Sequence, residues 1–247
     1  MSKAPQQDQQ RLLDVQALDT RIDQAVHRRE NLPAAAQLAE MKEQAERAGE
    51  ASAQVRAELG DVQRELARVE QDVEKAKSRR ERDQARLDEG SGQAKDLVAL
   101  QHEVDVLNRR LTSLEDTELD IMERVEEKQR LVDAAQAVVE RLAERMAEVE
   151  AGLTSEYAQI DEEIAGLRSE RDQTTAGLDA GLMALYERLR ASRGGVGAAA
   201  LRGKRCEGCR LELTPADMEH IRAASPDEVL RCEECGRILV RPEDGAA

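Results

Sequence analysis

The sequence predicts a mainly α protein, in which a long antiparallel coiled-coil helical hairpin precedes a small C-terminal module. Apolar and small residues recur at alternating spacings of four and three over most of the chain. Two glycines interrupt this pattern near its middle, and the only four cysteines form two pairs close to the C-terminus. With 36% charged residues, no Phe, no Trp and two Tyr, the chain also lacks the aromatic side chains of an ordinary globular core.

The longest heptad pattern predicts one arm of the hairpin. Its positions are Met41, Ala45, Ala48, Ser52, Val55, Leu59, Val62, Leu66, Val69, Val73 and Ala76. Such spacing places the residues along one face of a helix, which we call the seam. An earlier run with the same spacing comprises Leu12, Val15, Asp19, Ile22 and Val26. Pro33 separates the two runs and predicts a kink or short break near residues 30–34, because proline removes a helical hydrogen bond.

A second seam follows the glycines of residues 88–92, whose sequence DEGSG predicts a turn. It begins with Leu97, Leu100, Val104, Leu107, Leu111 and Leu114. We expect the helix to continue through Leu178 and Leu182 and to end before the glycine-rich residues 193–197. Seam packing against seam gives an antiparallel hairpin. A parallel dimer of extended chains is the alternative, which the glycine turn disfavours.

The four cysteines, Cys206, Cys209, Cys232 and Cys235, predict one metal site. Two residues between the cysteines of a pair allow a tight turn to direct both sulfurs at one ion, and two such turns complete a tetrahedral site. Disulfides or free thiols are the alternative. Rubredoxin-type iron uses related spacing in an aromatic-rich fold, whereas no aromatic residue follows Tyr186 here. We therefore expect one structural zinc ion, without which so small a module would not fold.

The surrounding module, residues 194–247, predicts short strands and one helix. Strands are expected at 198–203, 210–213, 229–231 and 237–241. Thr214, Pro215 and Asp217 predict a helix start, with threonine as N-cap and proline at the first helical position, and the helix should end near Ala223. The chain thus divides into a coiled-coil domain, residues 1–193, and a ribbon domain, residues 194–247.

Five basic residues flank the cysteines and have two interpretations. They are Lys204, Arg205, Arg210, Arg231 and Arg237. They could bind the phosphates of a nucleic acid, or they could offset the negative charge of a zinc–tetrathiolate centre. We favour the second interpretation, because Glu207, Glu233 and Glu234 lie within the cysteine motifs and would repel phosphate.

Charge and hydropathy narrow the function classes further. The net charge is −15, of which residues 194–247 contribute −2, so general coating of DNA is disfavoured. No apolar stretch is long enough to span a membrane, and the N-terminus lacks the apolar segment of a signal peptide, so we expect a cytoplasmic protein. There is no phosphate-binding glycine loop, no nucleophile–base pair and no open metal position, which argues against an enzyme with a small-molecule substrate.

The sequence resembles a bacterial family of coiled-coil proteins with a C-terminal C4-type zinc ribbon. The resemblance is carried by residues 97–104 (LVALQHEV), 186–190 (YERLR), 206–209 (CEGC), 213–217 (LTPAD) and 232–239 (CEECGRIL). It implies a helical hairpin whose ribbon binds zinc through the four cysteines. Family members are described as nucleic-acid-binding or regulatory proteins, and some resemble adaptors that engage an alternative sigma factor or secretion and flagellar components.

Two functional hypotheses follow. The first is a non-enzymatic adaptor or regulatory protein that binds a protein partner, with the transcription or secretion machinery as the partner class that the resemblance implies. The alternative is a regulator that binds RNA or DNA through the basic residues of its ribbon.

Overall fold

The computed structural model describes residues 3–242, which form five α-helices and three β-strands. In chain order these are α1 (Gln6–Glu30), α2 (Pro33–Asp88), α3 (Ala94–Thr175), α4 (Ala180–Ser192), β1 (Ala198–Arg202), β2 (Arg205–Cys206), α5 (Pro215–Ala223) and β3 (Ile238–Val240). The predicted mainly α fold is confirmed. Within the described part of the chain, no helix combines the length and the apolar composition that crossing a membrane requires.

The chain divides into two compact units. The hairpin unit comprises residues 36–150, and the ribbon unit comprises the described residues up to 35 together with those from 151 onward. The sequence-based division at residue 193 stays a prediction, and its outermost residues, 1–2 and 243–247, lie outside the described part.

Ion pairs within the hairpin unit establish that α2 and α3 run antiparallel. In order along α2, the pairs are Lys42–Glu150, Glu58–Lys128, Glu65–Arg124 and Lys77–Glu115. As the partner on α2 advances along the chain, the partner on α3 moves back toward the turn. The predicted antiparallel hairpin is therefore confirmed.

The predicted seams form the interior of this unit. Val73 and Ala76 of α2 pack with Leu111 of α3 in one cluster, and Leu59 and Ile121 are also buried. Because heptad spacing keeps these residues on one side of each helix, the two apolar stripes face each other and exclude water.

The helices end and begin at glycine and proline. Between α2 and α3 the chain turns through residues 89–93, where Gly90 has a φ of 61°, a conformation that side chains disfavour. Between α1 and α2 only residues 31–32 are non-helical, and Pro33 is the first residue of α2. Proline is well tolerated there, because the first turn of a helix has no use for its missing N–H.

The helix predicted to run through Leu178 and Leu182 is instead interrupted, and this expectation was wrong. The helix α3 ends at Thr175, Gly177 adopts a left-handed φ of 80°, and α4 begins at Ala180. Asp179 caps α4, since its side chain accepts a hydrogen bond from the N–H of Leu182 at 2.8 Å. A left-handed glycine followed by an N-cap aspartate ends one helix and starts another.

The sheet of the ribbon unit has the strand order β2-β1-β3, with β1 antiparallel to β2 and parallel to β3. The predicted strands at 210–213 and 229–231 were wrong as strands, because each contributes only an isolated bridge, at Glu212 and Arg231 respectively. The predicted helix start is confirmed: α5 begins at Pro215, and Thr214 and Asp217 form a reciprocal capping box.

The two faces of this sheet pack in two different hydrophobic clusters. Ala198 and Ile238 contribute to a cluster with Leu12 of α1 and Tyr186 of α4. Their neighbours along the strands, such as Leu239, instead pack in a second cluster that contains the cysteines and α5. Successive side chains of a strand point to opposite faces, so this short sheet connects the helices to the cysteine site.

Candidate metal centre and its surroundings

The two cysteine pairs lie in loops with the same backbone hydrogen bonds. The N–H of Arg210 donates to the carbonyl of Cys206 at 2.7 Å, and the N–H of Gly236 donates to the carbonyl of Cys232 at 2.7 Å. In each loop, the first cysteine also donates its own N–H to the carbonyl five positions later, at 3.1 and 2.9 Å respectively. The repeated sequence motif therefore folds into a repeated structure.

The residue after each second cysteine adopts a left-handed conformation. Gly236 has a φ of 69°, as its glycine identity allows, and Arg210 has a φ of 62° in the equivalent place. Arg210 is the only residue other than glycine with positive φ among those described. A side chain in this conformation is strained by roughly 1–2 kcal/mol.

The four sulfur atoms fit one tetrahedral zinc ion. All four lie within 4.8 Å of one another, with 4.0 Å between the Sγ atoms of Cys206 and Cys235 and 3.8 Å between those of Cys209 and Cys232. Zinc–sulfur bonds of about 2.3 Å place sulfurs about 3.8 Å apart in a tetrahedral site, whereas a disulfide needs about 2.05 Å. Four thiolates complete the coordination, so the site is structural and offers no position for a substrate.

The thiols differ in how readily they ionise without a metal. Burial raises the pKa of Cys206 and raises that of Cys232 to about 12. Burial also acts to raise the pKa of Cys235, but hydrogen bonds from Arg237 outweigh it and lower this pKa to about 7. Since zinc binds thiolates, it must displace protons from the buried sulfurs.

Three of the five predicted contact residues are exposed around the first cysteine pair. They are Lys204, Arg205 and Arg210. Among the described residues, the acidic neighbour of Arg205 is Glu212, at 4.0 Å, and surface pairs of this kind are weak. These side chains remain available to a ligand.

The other two predicted contact residues bind the protein's own backbone. The guanidinium group of Arg237 donates to the carbonyls of Val196 and Arg193, both at 2.9 Å, and so ties β3 to the glycine-rich segment after α4. Arg231 donates to the carbonyl of Gly236 at 2.8 Å and so braces the second cysteine loop. Positioning these loops occupies at least part of the hydrogen-bonding capacity of both side chains.

A buried polar network lies in the helical part of the ribbon unit. Asp19 of α1, only 2% exposed, accepts hydrogen bonds at 2.6 Å from Arg171 of α3 and from the hydroxyl of Tyr186 of α4. Arg190 adds an ion pair at 3.4 Å to the same carboxylate. Burial and the bond to Asp19 raise the pKa of Tyr186, which stays protonated and donating.

The sequence contains a signal for this network that heptad reasoning passed over. Asp19 occupies a seam position between Val15 and Ile22, where an apolar residue is expected. A carboxylate at such a position predicts a buried partner. Its partners could not be read from the sequence, because they lie on two later helices.

Comparison with known families agrees with this architecture. The model of the CT398-like coiled coil hairpin domain matches residues 15–194, and that of the C4-type zinc ribbon domain matches residues 205–239. The resemblance seen in the sequence is thereby confirmed.

Relatives that match most of this chain occur in mycobacteria. An uncharacterized protein of Mycobacterium tuberculosis is 38% identical over 241 residues, covering 98% of this chain and 98% of its own. An uncharacterized protein of Mycobacterium leprae is 31% identical over 221 residues, covering 90% of this chain and 95% of its own.

Solved structures share the fold. A protein from Mycobacterium smegmatis matches with a TM-score of 0.82 and 32% identity, covering 97% of this chain and 100% of its own. CT398 from Chlamydia trachomatis matches with a TM-score of 0.63 and 19% identity, covering 96% and 98% of the two chains, and so supports the fold alone. This chain belongs to the CT398-like coiled-coil hairpin family and carries a C4-type zinc ribbon after the hairpin.

Proposed function

We propose that this protein is a non-enzymatic adaptor that binds a protein partner through the outer surface of its hairpin. The observation that carries the proposal is a set of large apolar side chains exposed on α3. They are Val98, Val106, Leu119, Met122, Leu131 and Val138. None of these six occupies a seam position, so heptad packing does not require them. Contiguous exposed apolar surface is typical of interaction sites.

Within this set, Leu119 and Met122 form a pair of neighbouring exposed side chains. They are 59% and 45% exposed and lie one helical turn apart, so they present adjacent apolar surface. The closed cysteine site adds no catalytic position, which favours binding over catalysis. Thiols of this kind persist in reducing compartments, so we place the adaptor in the cytoplasm. The family resemblance is the reason to name transcription or secretion machinery as the partner class.

The test is cross-linking in the native cell. A photoreactive amino acid at position 119 should capture one specific protein, identified by mass spectrometry, and the same residue at position 63 should not. Gln63 is a matched control, because it is exposed on α2 of the same unit. Met122→Glu should abolish the capture from position 119. Recovery of nucleic acid alone, or of equal products from both positions, would contradict the adaptor hypothesis.

The alternative function is nucleic-acid binding through the exposed residues Lys204, Arg205 and Arg210. One observation favours it: Arg210 keeps a large cationic side chain at a backbone position that glycine would occupy without strain. Strain of this kind is retained where a side chain has a use.

Anisotropy titrations with labelled RNA and DNA test this alternative. Replacing the three residues by alanine should lower the slope of log affinity against log salt by about 1 for each phosphate that the protein no longer neutralises. The control replaces three exposed cations of the hairpin unit, Arg82, Arg86 and Lys95, which changes the net charge equally. If both triple variants bound nucleic acid equally weakly, the loss of affinity would come from the change in net charge, and a nucleic-acid site on the ribbon would be excluded.

A further inference from the structure

A groove lies on the ribbon unit between α5 and residues 228–231. Its volume is about 320 Å³. The apolar lining comes from α4, from α5 and the residues around it, and from β3: Leu185, Leu213, Ile221, Val229, Leu230 and Leu239. Several of these residues also belong to the cluster around the cysteines, so the floor of the groove is part of a packed core. A cavity with a fixed apolar floor is well suited to binding a side chain of another molecule.

The rim of the groove is acidic. Asp217, Glu228 and Glu233 line it, opposed by Arg231 and by His220. Asp217 is engaged in the capping box of α5, and Arg231 donates to the carbonyl of Gly236. Within residues 3–242, the carboxylates of Glu228 and Glu233 form neither an ion pair nor a hydrogen bond, although Glu228 attracts the ammonium group of Lys3 electrostatically. Two carboxylates without a direct hydrogen-bonding partner among these residues therefore lie beside apolar surface.

Both carboxylates are on well-positioned backbone. Glu233 lies inside the second cysteine loop, where the backbone hydrogen bonds from Gly236 to Cys232 and from Cys232 to Arg237 restrict the chain. Glu228 forms a backbone β-bridge with Lys3, and its carbonyl accepts a hydrogen bond from Arg241 at 3.4 Å. A rim held in this way presents its charges in a defined geometry, which lowers the entropy lost on binding.

We propose that this groove binds a segment of the partner protein in which an arginine or lysine stands next to a large apolar residue. The apolar side chain, or the aliphatic stem of the cation, would lie on the floor, and the cationic head would meet Glu228 and Glu233. The same carboxylates repel phosphate, so the groove excludes nucleic acid. The inference rests on the proposed adaptor function and adds a second, chemically distinct contact to it.

A selection of random linear peptides displayed on phage, carried out on the whole zinc-loaded chain, tests the proposal. Enriched peptides should share a basic residue next to Leu, Ile, Met or an aromatic residue. A synthetic peptide of the enriched sequence should bind in calorimetry, and should shift the methyl NMR signals of Leu213, Ile221 and Leu239.

The decisive comparison uses two double variants with the same change in charge. Glu228→Lys with Glu233→Lys should weaken peptide binding by about tenfold or more, since two attractive charges become repulsive. Glu207→Lys with Glu212→Lys should retain the affinity within about twofold, because these exposed residues do not line the groove. Glu207 lies inside the first cysteine loop as Glu233 lies inside the second, so both variants carry one change next to the metal. Circular dichroism and zinc content establish that each variant is folded.

Three outcomes overturn the proposal: no enriched peptide, enriched peptides without a basic residue, or equal binding by both double variants. These outcomes are separable from failure of the adaptor function. If position 119 captures a protein while the selection yields nothing, the adaptor function stands and the groove inference falls. If the selection succeeds while position 119 captures nothing, the proposed partner contact on the hairpin is contradicted and the proposed groove is supported.

Discussion

Asp19 is the residue on which the packing of three helices in the ribbon unit converges. Its carboxylate accepts from Arg171 and Tyr186 and pairs with Arg190, so α1, α3 and α4 all contribute to one buried site. A buried charge is tolerated only when its partners are in place, and removing it leaves those partners uncompensated.

Replacing Asp19 by asparagine should therefore lower the free energy of unfolding of the ribbon unit by about 2–4 kcal/mol. The control is Asp23→Asn, one turn further along α1, whose pair with Arg190 is half-exposed and should matter by less than about 1 kcal/mol. Urea unfolding followed by tyrosine fluorescence measures both, because Tyr157 and Tyr186 both belong to the ribbon unit. Similar losses of stability in the two variants would contradict a special role for Asp19.

The thiols predict a pH dependence of zinc binding. Without metal, the raised pKa values of Cys206 and Cys232 keep both protonated at neutral pH, and Cys235 joins them below about pH 7. Zinc must displace these protons, so its apparent affinity should fall as pH falls, and more steeply below about pH 7. Competition with a chromophoric chelator measures this dependence. An affinity that does not change across neutral pH would contradict it.

At the scale of elements, glycine should have opposite effects on stability in two places. It should be favourable in the turn after α2 and unfavourable within α2. Gly90 has a left-handed φ, so Gly90→Ala should destabilise the hairpin unit by about 1–2 kcal/mol. Gly49 lies within α2, and an added Cβ would meet nothing within 4 Å, so Gly49→Ala should stabilise the unit by about 0.5–1 kcal/mol. Urea unfolding followed by far-ultraviolet circular dichroism measures both. Changes of the same sign would contradict the assigned turn.

A comparison of the predicted and observed elements shows which features local sequence patterns predict and which they miss. The seams, the turn at Gly90 and the helix start with Thr214 as N-cap were all predicted, because spacing and capping act between residues a few positions apart. The break at Gly177 was missed, since an isolated glycine in a helical pattern is often accommodated. The strand expected at 210–213 reduces to one bridge, because the cysteine loop includes the first two residues of that segment.

At the scale of the whole molecule, the sheet determines how much of the ribbon unit should lose stability when zinc is removed. Strands β1 and β3 place alternate residues in the cysteine cluster and in the cluster with α1 and α4. Chelation, or Cys232→Ser, should therefore destabilise the whole ribbon unit by at least about 3 kcal/mol rather than unfold the cysteine loops alone. The hairpin unit should keep its helical circular dichroism.

Tyrosine fluorescence and far-ultraviolet circular dichroism, recorded together during chelation, separate the two units. The change in fluorescence should reverse on adding zinc and not on adding magnesium, which thiolates bind poorly. An unchanged tyrosine signal in zinc-free protein would mean that the two clusters are independent.

The sequence by itself determined the helical hairpin, the four zinc ligands and the start of α5, because each depends on periodicity or on short spacings that local geometry enforces. Only the tertiary structure decided that β1 pairs in parallel with β3, that Asp19 meets Tyr186, and that Arg231 and Arg237 brace the ribbon. The groove beside α5 belongs with these features. Most of these contacts join residues far apart along the chain, and which of them form is set by the packing of complementary surfaces rather than by any spacing in the sequence.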